Sequence, residues 1–393
     1  MLDLKHDIKG EDVIENLSKI YTKCETISSD LYLVLKQARH SCPRLHLLTD
    51  AHIIEYLSIA ADPKDVISDL SWVFSGVKQL KIDQPPKQSF TIDGVKNTSH
   101  ENLDFLRKVF IDPQEKDGSN FFLCSLLNDI EKEIKQSLKD NLTRAMPLVF
   151  RNGYNYRNNF KYVKENSFLY QILVLLNNIL FYHDLTMIIA GKEHTNDNIR
   201  ETFVRNKLNM FKQNIEHNLG VLCESLVYEK EKRWFLLLNQ FIFYIKYQLD
   251  ILTNIIEADV QSLDTFEYLV LPKTMIEYNA KAIKDPDFLE HSVVSSMNFL
   301  EETSKVQDLN KLNGKSNYLH LYKSIDPGNY TIIVRSFDYK RNYGFDLIPN
   351  SEPTVLTPST NRSYVTMLGA LATQTGILVN GPQDRGKKET IKV

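Results

Sequence analysis

The sequence predicts a mainly α fold: an elongated multi-helix bundle with one small β-hairpin near 78–95, followed by an incomplete α/β unit that opens on a phosphate-binding loop. Three observations predict it. Apolar residues recur at helical spacing through most of the first 340 residues. Two short runs between 77 and 95 alternate apolar with polar residues. Near the C-terminus an apolar run, Gly376-Ile377-Leu378-Val379-Asn380, leads into Gly381-Pro382-Gln383-Asp384-Arg385-Gly386-Lys387-Lys388-Glu389-Thr390.

The first helix follows from Val13, Leu17, Ile20, Cys24, Ile27, Leu31 and Val34, spaced alternately four and three apart. Such a stripe suits a helix packed in a bundle, a reading favoured over a two-chain coiled coil. A second helix carries Ile53, Ile54 and Leu57 and ends before Pro63, because the residue preceding proline avoids the α region. Asp62 caps a third, with Pro63 in its first position and Val66, Leu70, Val73 and Phe74 on its buried face. Val77 to Ile82 and Ser89 to Val95 then alternate around Pro85-Pro86, the signature of a hairpin that must lie against neighbouring helices. Helix resumes over 121–142, where Leu127, Ile130, Ile134 and Leu138 share a face and Glu131 stands four residues before Lys135.

Residues 151–162 interleave Tyr, Asn and Arg, which reads as a loop or as helix-packing tyrosines. Without a wider basic field the pattern does not argue for single-stranded nucleic acid. Long helices are predicted over 168–190, 196–226, 230–257 and 286–304. A polar stretch at 305–317 separates them from a short β-branched strand at 330–335, an irregular proline-containing segment, a helix over 362–373 and a strand at 377–379.

Bulk properties narrow the function classes. A formal charge of −3 gives no global attraction to nucleic acid or to anionic membrane. The 168–190 and 234–256 segments are apolar but interrupted by polar or charged residues, so they read as buried core helices and no membrane span is expected. Four cysteines, Cys24, Cys42, Cys124 and Cys223, lie far apart and read as reduced, buried thiols. The ten histidines show no ligand spacing, so no metal is expected. No nucleophile elbow or Cys/His pair appears, so no catalytic residue is assigned. The first residues lack an apolar signal region, and a cytosolic or cytoskeletal location is expected.

The C-terminal loop has the G-x-x-x-x-G-K-[ST] spacing with one defect. Gly381, Gly386 and Lys387 occupy the phosphate-cradling positions, but Lys388 stands where a hydroxyl should reach Mg²⁺. Asp384 adds a negative charge inside the cradle, and Thr390 lies two residues too far along, with a helix turning about 100° per residue.

The order of segments resembles the dynein heavy chain family. Cys42-Pro43-Arg44-Leu45, Leu48-Thr49-Asp50, Ile54-Glu55-Tyr56-Leu57-Ser58 and Val73-Phe74-Ser75-Gly76-Val77-Lys78-Gln79-Leu80 resemble the start of its linker. The stretch 126–138 resembles a later linker helix, and Asp264-Thr265-Phe266-Glu267-Tyr268 the segment before the linker's end. Tyr343-Gly344-Phe345-Asp346, Val355-Leu356-Thr357-Pro358-Ser359-Thr360-Asn361-Arg362-Ser363-Tyr364, Leu368-Gly369-Ala370-Leu371 and Gly381-Pro382 resemble the approach to the first AAA+ module. The resemblance spans roughly 25–393.

It implies a helical linker over 1–340 and the N-terminal fragment of an ATP module over 341–393. It matches Gly381, Gly386 and Lys387 to the phosphate loop, and Val355, Leu356, Thr357 and Pro358 to the segment bordering adenine. It implies partners in the dynein AAA+ ring and in intermediate and light chains. Microtubules would be contacted only through a motor domain outside this sequence, with cytoplasm, cytoskeleton and ciliary axoneme as the setting. ATP and Mg²⁺ belong to the complete parent motor; no cofactor, hydrolysis, nucleic-acid or membrane partner is expected of these residues themselves. Residues 376–393 are expected to be poorly ordered, because one strand and a stub helix cannot cover both faces of a parallel sheet. Two alternatives are a weak ATP-binding protein acting through Lys387 and a helical scaffold for other dynein subunits.

Overall fold

The computed structural model describes residues 10–59, 73–83, 90–111, 122–190, 197–257, 273–278, 330–336, 339–349, 358–383 and 386–392. They belong to two compact units, one drawn from 1–96 and 104–134, the other from 97–103 and 135–393. The mainly helical prediction holds.

In the first unit, α1 (Gly10–Ser41) is followed by a 3-10 turn (Pro43–Leu47) and α2 (Asp50–Ile59). The expected burial of the α1 stripe is not seen. Leu17, Ile20 and Ile27 are exposed, Ile27 by 66%, and Cys24 is exposed with them. Helical period sets which residues share a face; it does not supply a neighbour for that face. Among the described side chains of α1 the buried apolar ones are at its end, Leu35 and Ala38. There the Cys42 amide donates to the Ala38 carbonyl at 2.9 Å, and Pro43 opens the 3-10 turn. Arg44 then meets Glu131 at 2.6 Å and lies over the Phe74 ring at 4.6 Å. Cys42 and Cys124 are buried as expected, and burial pushes both thiols up, Cys124 to about 11; Cys24 and Cys223 are exposed instead.

The hairpin is the first two strands of a three-stranded sheet: β1 (Val77–Asp83), β2 (Phe90–Asn97) and β3 (Asn102–Ile111), in that order. Leu80, Ile92, Val95 and Val109 are buried, while Lys81–Asp104 at 2.5 Å and Lys108–Asp93 at 3.1 Å link strands by charge. Sequence reading missed β3 because Leu106-Arg107-Lys108 interrupts its alternation, so pairing with β2 decides its state. Most of the expected third helix, 63–72, lies outside the described residues. Val73 and Phe74 are buried in a turn before β1.

A long helix, α3 (Phe122–Asn152), carries the predicted face, with Leu127, Ile130, Ile134 and Leu138 all buried. The second unit continues with α4 (Tyr156–Glu165), α5 (Tyr170–Ala190), α6 (Asp197–Tyr228) and α7 (Lys232–Glu257). The Tyr- and Asn-rich stretch at 151–162 is mostly helix rather than loop. Asn155 accepts from the Asn158 amide as N-cap, and buried Asn159 donates to the Gly153 carbonyl at 2.8 Å. Its aromatics are packed inward. Phe241 has no exposure and meets Tyr156, Phe160 and Tyr170 at ring separations of 5.8, 6.5 and 6.3 Å.

The N-terminus of α5 is buried, so its free amides need acceptors. Glu101 Oε1 takes the Tyr170 amide at 2.9 Å, and Asn141 Oδ1 takes that of Leu169 at 3.3 Å. The 170–189 stretch is long and apolar enough to cross a membrane by length and composition, but 67% of its apolar window is buried inside the fold. Asn177 on α5 donates to Gln248 on α7 at 3.0 Å, both fully enclosed.

A second antiparallel sheet has the order β4 (Lys273–Tyr278), β5 (Tyr330–Ser336), β6 (Tyr339–Asn342), with Lys273 opposite Arg335 and Val334 opposite Arg341. The sequence predicted β5 alone. The β4–β5 register joins residues more than fifty positions apart, which no local pattern announces. The predicted helix at 286–304 and the segment 264–268 lie outside the described residues. Last come α8 (Pro358–Ala372) and the short α9 (Lys387–Lys392).

Candidate functional site

The approach to the loop begins at the end of α8. Gln374 adopts φ +55, the Thr375 amide donates back to the Ala370 carbonyl at 2.9 Å and the Gln374 amide to Leu371 at 3.2 Å. This pair of bonds closes the helix and satisfies carbonyls its last turn leaves free.

The run Ile377-Leu378-Val379, predicted as a strand, has no regular structure, and Leu378 is 90% exposed. Strand geometry is held by a ladder partner, and no described strand pairs with this run.

Beyond it, the Gly381 amide donates to Asn380 Oδ1 at 2.8 Å. Gly386 sits at φ +71, a left-handed conformation that favours glycine. Gly381 has no such need; a Cβ there would stand 3.6 Å from Lys387 Cδ, an ordinary contact. Lys387 curls back over the loop, its Nζ donating to the Gly381 carbonyl at 2.7 Å and to the Pro382 carbonyl. The structure thus brings Lys387 back onto the Gly381–Pro382 backbone, with Gly386 beside it in the chain. The ammonium, however, is held by backbone carbonyls of the loop it would use for phosphate.

The Mg²⁺ position is less suited still. Lys388 is exposed and places an ammonium where the metal needs an oxygen. Thr390 does not replace it: both its hydroxyl and its amide donate to the Gly386 carbonyl, each at 2.9 Å. These residues do not fit a Mg²⁺–nucleotide complex. Asp384, Val355, Leu356 and Thr357 lie outside the described residues, and Pro358 opens α8. Among the described residues no group of three or more His, Cys, Asp or Glu could hold a metal.

Residues 3–145 match the family described as dynein heavy chain, N-terminal region 2, and residues 343–393 match the hydrolytic ATP binding site of dynein motor region. The human dynein axonemal heavy chain 2 is 25% identical over 387 residues, covering 97% of this chain and 7% of that protein. The Chlamydomonas reinhardtii dynein-1-beta heavy chain of the flagellar inner arm I1 complex is 22% identical over 386 residues, covering 98% of this chain and 7% of the relative. The mouse cytoplasmic dynein 2 heavy chain 1 is 20% identical over 398 residues, covering all of this chain and 8% of its own length. The chain thus spans less than a tenth of each of these relatives.

Proposed function

We propose, from the premise that this chain belongs to the dynein heavy chain family and carries its linker region and the start of its first AAA+ module, that these residues serve as a mechanical element of a minus-end-directed microtubule motor and do not hydrolyse ATP. The observation that carries this reading is order. The N-terminal match precedes the ATP-site match, and relatives align continuously across nearly the whole chain. On this reading 1–340 is the linker and 341–393 the opening of the module.

The loop chemistry supports a non-catalytic role. A phosphate cradle works through free amides and an available ammonium. Here Lys387 is committed to loop carbonyls, and the Mg²⁺ position holds Lys388. Kinship with axonemal and cytoplasmic dynein heavy chains supports an association with the cytoskeleton and cilia in general terms. An axonemal setting, with the AAA+ ring and the intermediate and light chains as partners, is the finer part of the proposal; the names of two of the relatives support it.

The test is complementation in trans. A dynein motor domain stripped of its own linker is mixed with this chain, with the native linker fragment as positive control. Binding of the chain to the stripped ring, at an affinity within about tenfold of the control, is the expected result. No binding beside a control that binds would contradict the proposal.

A further inference from the structure

The ATP-site match begins at Tyr343, immediately after β6. One side chain of the helical bundle holds the residues that follow. Gln171, on the first turn of α5, donates from Nε2 to the Tyr343 hydroxyl at 2.8 Å and to the Asp346 carbonyl at 2.8 Å. Its Oε1 accepts the Ile348 amide at 3.1 Å. A carbonyl needs a donor and an amide needs an acceptor, so only one orientation of the Gln171 amide satisfies both. The grip closes on a segment with a left-handed residue: Phe345 sits at φ +52, uncommon for a bulky side chain. Its ring lies edge-on to Tyr343 at 5.0 Å, and Leu347 is buried. Strain of that kind persists only where surrounding contacts over-determine the backbone.

We propose that Gln171 is a positioning residue, a three-bond latch that fixes residues 343–348 to α5, so that the start of the nucleotide module moves with the linker bundle. A shift of the module's first residues against α5 must break all three bonds together. The inference rests on reading 343–393 as the module's opening, but its test does not depend on nucleotide.

Hydrogen exchange of the full chain measures it. Gln171 is half-buried, so Gln171→Leu removes the bonds without opening a core cavity. Exchange of the Ile348 amide, which donates to Gln171, is expected to rise on the order of tenfold, while the Tyr343 amide, held by the Ile332 carbonyl, and the interior of α5 and α7 stay unchanged. Gln171→Glu supplies the second arm. Its carboxylate can accept from Ile348 but faces the Asp346 carbonyl at neutral pH. Near pH 4 the protonated acid can donate again, so protection corrected for intrinsic exchange is expected to recover in part. Ile348 exchange within twofold of the parent in Gln171→Leu would overturn the latch. So would an equal rise throughout α5 and α7, or a Glu variant whose protection does not respond to pH. An ATP-binding result in either direction leaves this outcome intact, which keeps the two readings separable.

Discussion

Phe241→Ala is expected to destabilise the second unit by about 4 kcal/mol, the usual cost of deleting a fully enclosed aromatic ring. Phe241 has no exposure and lies among Tyr156, Phe160 and Tyr170, so α4, α5 and α7 all meet at its ring. The facing helices α4 and α5 cannot collapse into the space, and the cavity term adds to the lost transfer energy. Phe241→Leu keeps much of the volume and is expected to cost about 1.5 kcal/mol. Urea unfolding, followed by far-ultraviolet dichroism, checks both. Equal small losses in the two variants would show that the aromatic cluster does not hold these helices together.

The second large effect is alkaline. Burial pushes the hydroxyls of Tyr156, Tyr170, Tyr182, Tyr244 and Tyr247 above the ordinary tyrosine range. Above about pH 10 the unfolded chain releases these protons while the folded chain still binds them. Stability is therefore fully present below pH 10 and falls as pH rises, by about 1.4 kcal/mol per pH unit for each such tyrosine. Cooperative unfolding is expected as pH rises above about 10, with dichroism lost together with the ionisation of these five buried hydroxyls. Tyr156 sharpens the test, since its buried hydroxyl has no hydrogen-bond partner among the described residues. Tyr156→Phe should be near neutral in stability at pH 7 and should make the alkaline fall shallower by one tyrosine's share. Ionisation of these five hydroxyls in a still-folded chain would contradict the burial described.

What was legible in the sequence follows from how local each determinant is. α5 and α7 could be read because burial on several sides writes a dense apolar pattern. The α1 stripe was legible as period, yet Leu17 and Ile27 are exposed, because a pattern names a face and not its neighbour. β4 was missed because it is set by pairing with a strand more than fifty residues away. β3 and β6 were missed because neither carries a clean alternation of its own, although each pairs with the strand just before it. The phosphate-loop residues were found by spacing alone, but spacing says nothing of Lys387 folding onto the Gly381 and Pro382 carbonyls. Gln171 is the instructive case. In the sequence it is one polar residue at the start of an apolar stretch. Its partners are 172 to 177 residues away, beyond the reach of any local signal.

The central claim is that the loop at 381–390 marks kinship with an ATP module without serving as a nucleotide site. A fluorescent ATP titration of the full chain, with and without Mg²⁺ and repeated on Lys387→Ala, tests it most directly. The account predicts no saturable Mg²⁺-dependent signal in either protein. Saturable binding that requires Mg²⁺ and disappears in Lys387→Ala would contradict it.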